Sequence, residues 1–231
     1  MFTRYRTSPA GTVRLLWLAA AALWVAAGCG SLPDDTGSIF QVADIQPYYQ
    51  DAGSITNQVD VVQSWCTTGE DSTDGTPEYY SDHYVSVDFL NRHWPNRLEE
   101  HTAGVLTIMY YDLHYTPLDT LTAGYPLPSR LAIPVPQTIA IPACSPGPPG
   151  QICPPTTMTG GYFIPLATKD NLRGYLRTAF PGAFSPGYAG PVPQLAYTAN
   201  YVFYAENEYG KETAPAGASF HFYVSGYDYC N

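Results

Sequence analysis

Apolar and polar side chains alternate with a period of two along much of this chain, which is the pattern of half-buried β-strands. Residues 84–90 set Val85, Val87 and Phe89 against Ser86 and Asp88, and residues 199–206 set Tyr201 and Phe203 against Asn200, Val202 and Tyr204. Residues 220–224 repeat it, with Phe220, Phe222 and Val224 against His221 and Tyr223. Shorter strands are expected at 40–46 and 59–65. The run 105–115 is apolar and aromatic with only Asp112 and His114 interrupting it, which predicts a strand covered on both sides. Pro134 and Pro136 share one face of the extended segment 131–141. Proline cannot donate to a ladder, so this segment is expected at a sheet edge or at a bend between sheets. Glu208, Tyr209, Gly210 and Lys211 separate two strand-like runs and predict a hairpin with Gly210 at positive φ.

Residues 168–177 are the helical exception. Thr168 is positioned to cap, Leu172, Tyr175 and Leu176 make a short apolar side, and Gly174 restricts the expected helix to about two turns. Proline and glycine recur through 180–193, a long surface loop. About seven antiparallel strands with irregular connections and a closing hairpin predict an all-β fold: a two-sheet, Ig-like β-sandwich with long Pro/Gly-rich loops and one short helix.

The start of the chain follows another pattern. Arg4, Arg6 and Arg14 precede an apolar run over 15–27, and Ala26, Ala27 and Gly28 lead to Cys29. The apolar run is shorter than the roughly 20 residues a spanning helix needs. It resembles the signal of bacterial lipoproteins, with Ala26 where a leucine is commoner. The resemblance implies that residues 1–28 are removed and that Cys29 becomes an acylated N-terminus held in a lipid bilayer. Gly30 is not the aspartate that retains such proteins at the inner membrane, so the implied address is the outer membrane of a Gram-negative envelope. Residues 29–38 read as the lipidated end and a small, polar tether, and 39–231 as the sandwich domain. Over residues 80–229, the strand layout around Tyr84, Tyr110, Arg130 and Ala199 resembles uncharacterised envelope lipoproteins with one Ig-like or fibronectin-III-like domain. True Ig spacing is absent, since Trp65 abuts Cys66 and Cys230 lies far beyond the usual partner position.

Charge then narrows the partners. Without the three leader arginines, seven cations face 20 acidic residues, a net of −13. That balance repels phosphates and excludes nucleic acid. Four cysteines remain after Cys29, and an oxidising compartment predicts two disulfides. Four cysteines admit three pairings; Cys144 and Cys153 bracket a local loop, which leaves Cys66 with Cys230. No CxxC pair supports zinc.

Catalytic signals are sparse. There is no GxSxG and no HExxH, so the chain reads as non-catalytic, with no cofactor. His93 and His101 with Glu99 and Glu100 mix imidazole and carboxylate, but meet no ligand spacing and read as a solvated loop. His114 and His221 are expected to face solvent or a tyrosine. Glu70, Asp71, Asp74 and Glu78 gather carboxylates around Gly75 as calcium candidates, without the spacing of an EF-hand. Lys169, Arg173 and Arg177 form a basic stripe if helical, expected to pair with the protein's own carboxylates. Trp94, Tyr110 and Tyr204 are candidate ligand-binding aromatics. The expected role is a structural or protein-interaction module of the envelope, with glycan binding as the alternative and a hydrolytic enzyme, which would need a pocket holding His93, Glu99 and His101, as the weakest reading. An exposed coplanar aromatic pair beside polar groups would favour sugar; an exposed sheet edge or apolar patch would favour protein.

Overall fold

In the computed structural model the strands form two principal sheets with few helices, an all-β fold. The structure describes residues 38–49, 54–61, 65–66, 76–77, 80–93, 104–144, 153–183 and 193–226, all within one unit spanning 33–231. The first sheet is built from β1 (Ser38–Tyr49), β2 (Ser54–Ile55), β6 (His83–His93) and β10 (Thr156–Ile164), in the order β10-β6-β1-β2. The second contains β3 (Gln58–Asp60), β7 (Leu106–Pro117), β8 (Arg130–Pro134), β9 (Ala140–Ile141), β11 (Leu195–Asn207) and β12 (Ala216–Ser225). Its order is β3-β12-β11-β7-β8, with β9 also pairing β7. β4 (Trp65–Cys66) and β5 (Thr76–Pro77) make a separate two-stranded ladder.

The long strands obey their sequence pattern. On β11, Tyr197, Ala199, Tyr201, Phe203 and Ala205 are buried, while the intervening residues are half-buried. Only one face of β7 is covered, contrary to the expectation from its apolar run: Leu106, Ile108, Tyr111 and Leu113 point inward and Met109 is 42% exposed. A bulge interrupts the alternation. Tyr204 pairs with Tyr110 and Ala205 with Ile108, leaving Met109 as an extra residue that turns outward beside Tyr110. The proline segment lies at the edge beyond β7 as two short strands, β8 and β9. Among the described strands one pairing is parallel, β3 against β12, so the ladders are not all antiparallel. Gly210 takes φ +72 in the β11–β12 connection, and Asn207 Oδ1 accepts from the Tyr209 and Lys211 amides.

The helical content also departs from expectation. A four-residue helix α1 (Thr120–Ala123) follows β7, and α2 (Leu166–Ala179) runs for 14 residues. Thr168 does not cap α2; the Leu166 amide donates to the carboxylate of Asp82, 2.6 Å away and distant in sequence. Burial of Leu172 and Leu176 then carries the helix through Gly174, whose surroundings are open.

The inner faces of the sheets meet through aromatic rings. Phe89 packs edge-on to Phe203 at 4.9 Å, and Phe163 to Phe222 at 4.8 Å. Directional bonds are added by tyrosines. Strand β10 shifts register against β6 twice, between Met158 and Gly161 and between Tyr162 and Ile164. The Tyr162 amide donates to Tyr111 Oη (2.7 Å), the Tyr201 hydroxyl donates to the Tyr162 carbonyl (3.0 Å), and Tyr115 donates to the Phe163 carbonyl (2.6 Å). Hydroxyls from β7 and β11 thus bond the bulged backbone of the opposite sheet. Burial pushes the Tyr111 phenol up to about 12 and holds those of Tyr115 and Tyr201 well above their ordinary value.

Tyr201→Phe removes one donor while leaving the ring, so the Tyr162 carbonyl stays buried without it. A loss of about 1–3 kcal/mol is expected in urea unfolding with unchanged slope; a change of only a few tenths would show that this bond contributes little. At Gly161 an added Cβ would sit 2.8 Å from Val85 Cγ2, so Gly161→Ala is expected to cost a similar amount by overpacking.

Candidate functional site

The outward side of β7, β11 and β12 collects the chemistry not consumed by the core. Across the β7–β11 ladder Tyr110 faces Tyr204, Asp112 faces Val202, His114 faces Asn200 and Thr116 faces Thr198. Beyond β11, Thr198 faces His221 and Asn200 faces Ser219. Period two puts these side chains on the solvent side because Tyr201, Phe203 and Phe222 occupy the other.

Tyr110 and Tyr204 stack with centroids 4.6 Å apart and planes inclined by 22°. The rings are stacked face to face rather than coplanar, and both residues are half-buried, so the pair is not the exposed coplanar platform that would mark a sugar site. Tyr204 donates to Asp112 Oδ2 at 3.2 Å, and the Ala132 amide donates to Asp112 Oδ1 at 2.8 Å. Ala132 has φ +51, a left-handed conformation uncommon for an L side chain. Desolvation, then the Asp112 carboxylate, holds the Tyr204 phenol above its ordinary value. Further along, His114 Nδ1 meets Ser129 Oγ at 3.0 Å, His221 Nδ1 meets Thr198 Oγ1 at 2.9 Å, and Asn200 Nδ2 donates to Thr116 Oγ1 at 3.1 Å. Both histidines are thus engaged with hydroxyls of serine and threonine. The face is an ordered strip of phenols, imidazoles, amide and hydroxyl groups, suited to hydrogen bonding and ring contact.

Tyr110 and Tyr204 are the two sequence candidates that the fold brings together; Trp94 lies outside the described residues. So do Glu70, Asp71, Asp74 and Glu78, the His101, Glu99 and Glu100 cluster, the His93 side chain, Cys29 and Cys230. Cys66 is described only as backbone, paired through β4 with Thr76. Cys144 and Cys153 are joined by a disulfide with Cα atoms 5.7 Å apart, and the Cys144 amide donates to the Asn91 carbonyl at the end of β6.

The expected basic stripe is broken at Lys169, while Arg173 makes the expected pair with one of the protein's own carboxylates. Lys169 is fully buried with its ammonium 4.8 Å from the Tyr80 ring centroid, Arg173 pairs with Asp170, and Arg177 is exposed. His83, absent from the sequence candidates, is buried near this lysine, and its Nε2 meets the Gln58 carbonyl at 3.1 Å. Burial, with the Lys169 charge as the second cause, pushes the imidazole down to about 3. Asp60, 2% exposed, is another buried ionisable group that periodicity alone did not single out. Asp112 was legible only as an interruption in an apolar run.

Among the described residues, no group of three or more His, Cys, Asp or Glu side chains is placed to hold a metal, and no helix is long and apolar enough to cross a membrane. Comparisons with protein-family models, with curated proteins and with solved structures found no match.

The depressed pKa of His83 has a definite sign. Below about 6.5 the unfolded chain takes up a proton that folded His83 refuses, so this residue's stabilisation is complete above 6.5 and declines toward about 3. The slope is about 1.4 kcal/mol per pH unit at most. NMR of the folded protein is expected to show a His83 imidazole still neutral at pH 5; a normal titration near 6.5 would contradict the buried, lysine-facing environment.

Proposed function

We propose that the chain is a lipid-anchored, non-catalytic envelope lipoprotein, with an Ig-like sandwich that presents a binding face for another envelope component. Its anchor is acylated Cys29, embedded in the bilayer after removal of residues 1–28, with the outer membrane as its address. The arginines, apolar run and small residues before Cys29 support the anchor. Two opposed sheets and the Cys144–Cys153 bridge are in keeping with an exported domain.

The observation that carries the binding reading is the outward strip on β7, β11 and β12. Its chemistry is ordered by cross-strand contacts, while the reverse of the same strands forms the core. A face of this kind takes part in recognition of a protein or a polysaccharide rather than in a chemical transformation.

Metabolic labelling with an alkyne fatty acid, followed by mass spectrometry of the N-terminal peptide, tests the anchor. A thioether-linked diacylglyceryl group on Cys29 is expected, with labelling lost in Cys29→Ser. An unmodified Cys29, or a mature end elsewhere, would overturn the lipoprotein reading.

A further inference from the structure

We propose that the strip centred on Tyr110 and Tyr204 binds a neutral, hydroxyl-rich polysaccharide. The inference rests on the binding-face reading above and names its ligand class.

Charge is the first argument. Strands β7, β11 and β12 contain no lysine or arginine, and their only acidic residues are Asp112 and Glu206. Arg130 of the adjoining β8 is turned to the Tyr162 ring of the other sheet, so the strip has no permanent cation of its own with which to neutralise phosphate, sulfate or uronate groups, and anionic polymers are disfavoured. Uncharged donors and acceptors predominate instead: Thr198, Asn200, Ser219, the imidazoles of His114 and His221, and the phenols. Sugar hydroxyls both donate and accept, and match such a set without requiring a counter-charge.

Shape is the second argument. β7 and β11 run side by side for 12 and 13 residues, and a strand advances about 3.4 Å per residue. An extended face of that length suits successive units of a polymer better than a single small molecule. Ring surface is concentrated at one end, where the stacked pair lies beside the outward Met109 and Pro134, the β8 residue opposite Tyr110. The apolar C–H face of a pyranose packs on such surface while Asp112 orients its hydroxyls.

Backbone irregularity supplies the third argument. The Met109 bulge and the left-handed Ala132 both adjoin the Tyr110, Asp112 and Tyr204 group, and Asp112 holds the Ala132 amide. Bulges re-aim side chains, and strained residues recur where a surface is shaped for recognition. Two departures from regular β geometry thus set the position of one aromatic cluster. A dry protein interface is the less suitable occupant, because polar positions outnumber apolar ones along the remaining strip.

The test is affinity electrophoresis of the full, detergent-solubilised lipoprotein in gels containing laminarin, galactomannan or amylose as neutral probes and polygalacturonate as the acidic one. Retardation by at least one neutral probe and none by polygalacturonate is expected. Tyr110→Ala and Tyr204→Ala should each weaken it by about tenfold, and Ser219→Arg, on an exposed position away from the core, by several-fold with an unchanged melting temperature. No retardation by any neutral probe, retardation indifferent to all three substitutions, or preference for polygalacturonate would overturn the proposal. If neutral probes fail while a photo-crosslinker at position 204 captures an envelope protein in cells, the glycan assignment falls and the binding-face reading stands. If neither captures anything, both fall.

Discussion

The structure depends on how tyrosine hydroxyls meet the backbone of β10. β10 is the end strand of its sheet and shifts register twice against β6, so part of its backbone has no ladder partner, and in an apolar interior each unpaired group costs about 1–3 kcal/mol. Tyr111, Tyr115 and Tyr201 reach across from the facing sheet and bond the backbone of Tyr162 and Phe163. Apolar contact alone has little direction and would permit the sheets to slide. The hydroxyls define which residue of one sheet stands against which residue of the other, while the rings bury as hydrophobes.

That register has a consequence on the opposite side. Tyr201 and Phe203 must face inward to meet β10 and Phe89, so Asn200, Val202 and Tyr204 must face outward. The same holds for Tyr111 against Tyr110 and Asp112 on β7. The aromatic and polar strip is therefore held in place by the core it backs onto. Slipping either strand by one residue would exchange the two sets and bury Asp112.

Much of this was legible in the alternation of Val85, Val87 and Phe89, of Tyr201 and Phe203, and of Phe220 and Phe222, because each strand buries one face. The Met109 bulge was not, since an extra residue in an apolar run leaves the composition unchanged. Nor was the length of α2: its cap comes from Asp82, far away in sequence, where no local motif could reveal it. Lys169 read as one member of a surface stripe because spacing alone cannot distinguish the buried side of a helix from the solvated one; its contact with Tyr80 is tertiary. The pairing of Tyr110 with Tyr204 needed the β7–β11 register, though both residues stood out as aromatics.

The buried hydroxyls make an alkaline titration the most direct measurement. Folded Tyr111, Tyr115 and Tyr201 keep their protons where the unfolded chain begins to lose them near pH 10, so their stabilisation is intact below that pH. It is lost as pH rises toward about 12 for Tyr111. Following tyrosinate absorbance and near-ultraviolet circular dichroism together should show exposed phenols ionising first with the fold intact. The remainder should ionise only as the tertiary signal collapses. Ionisation of every tyrosine near pH 10 with the tertiary signal preserved would contradict the account of how the two sheets are held together.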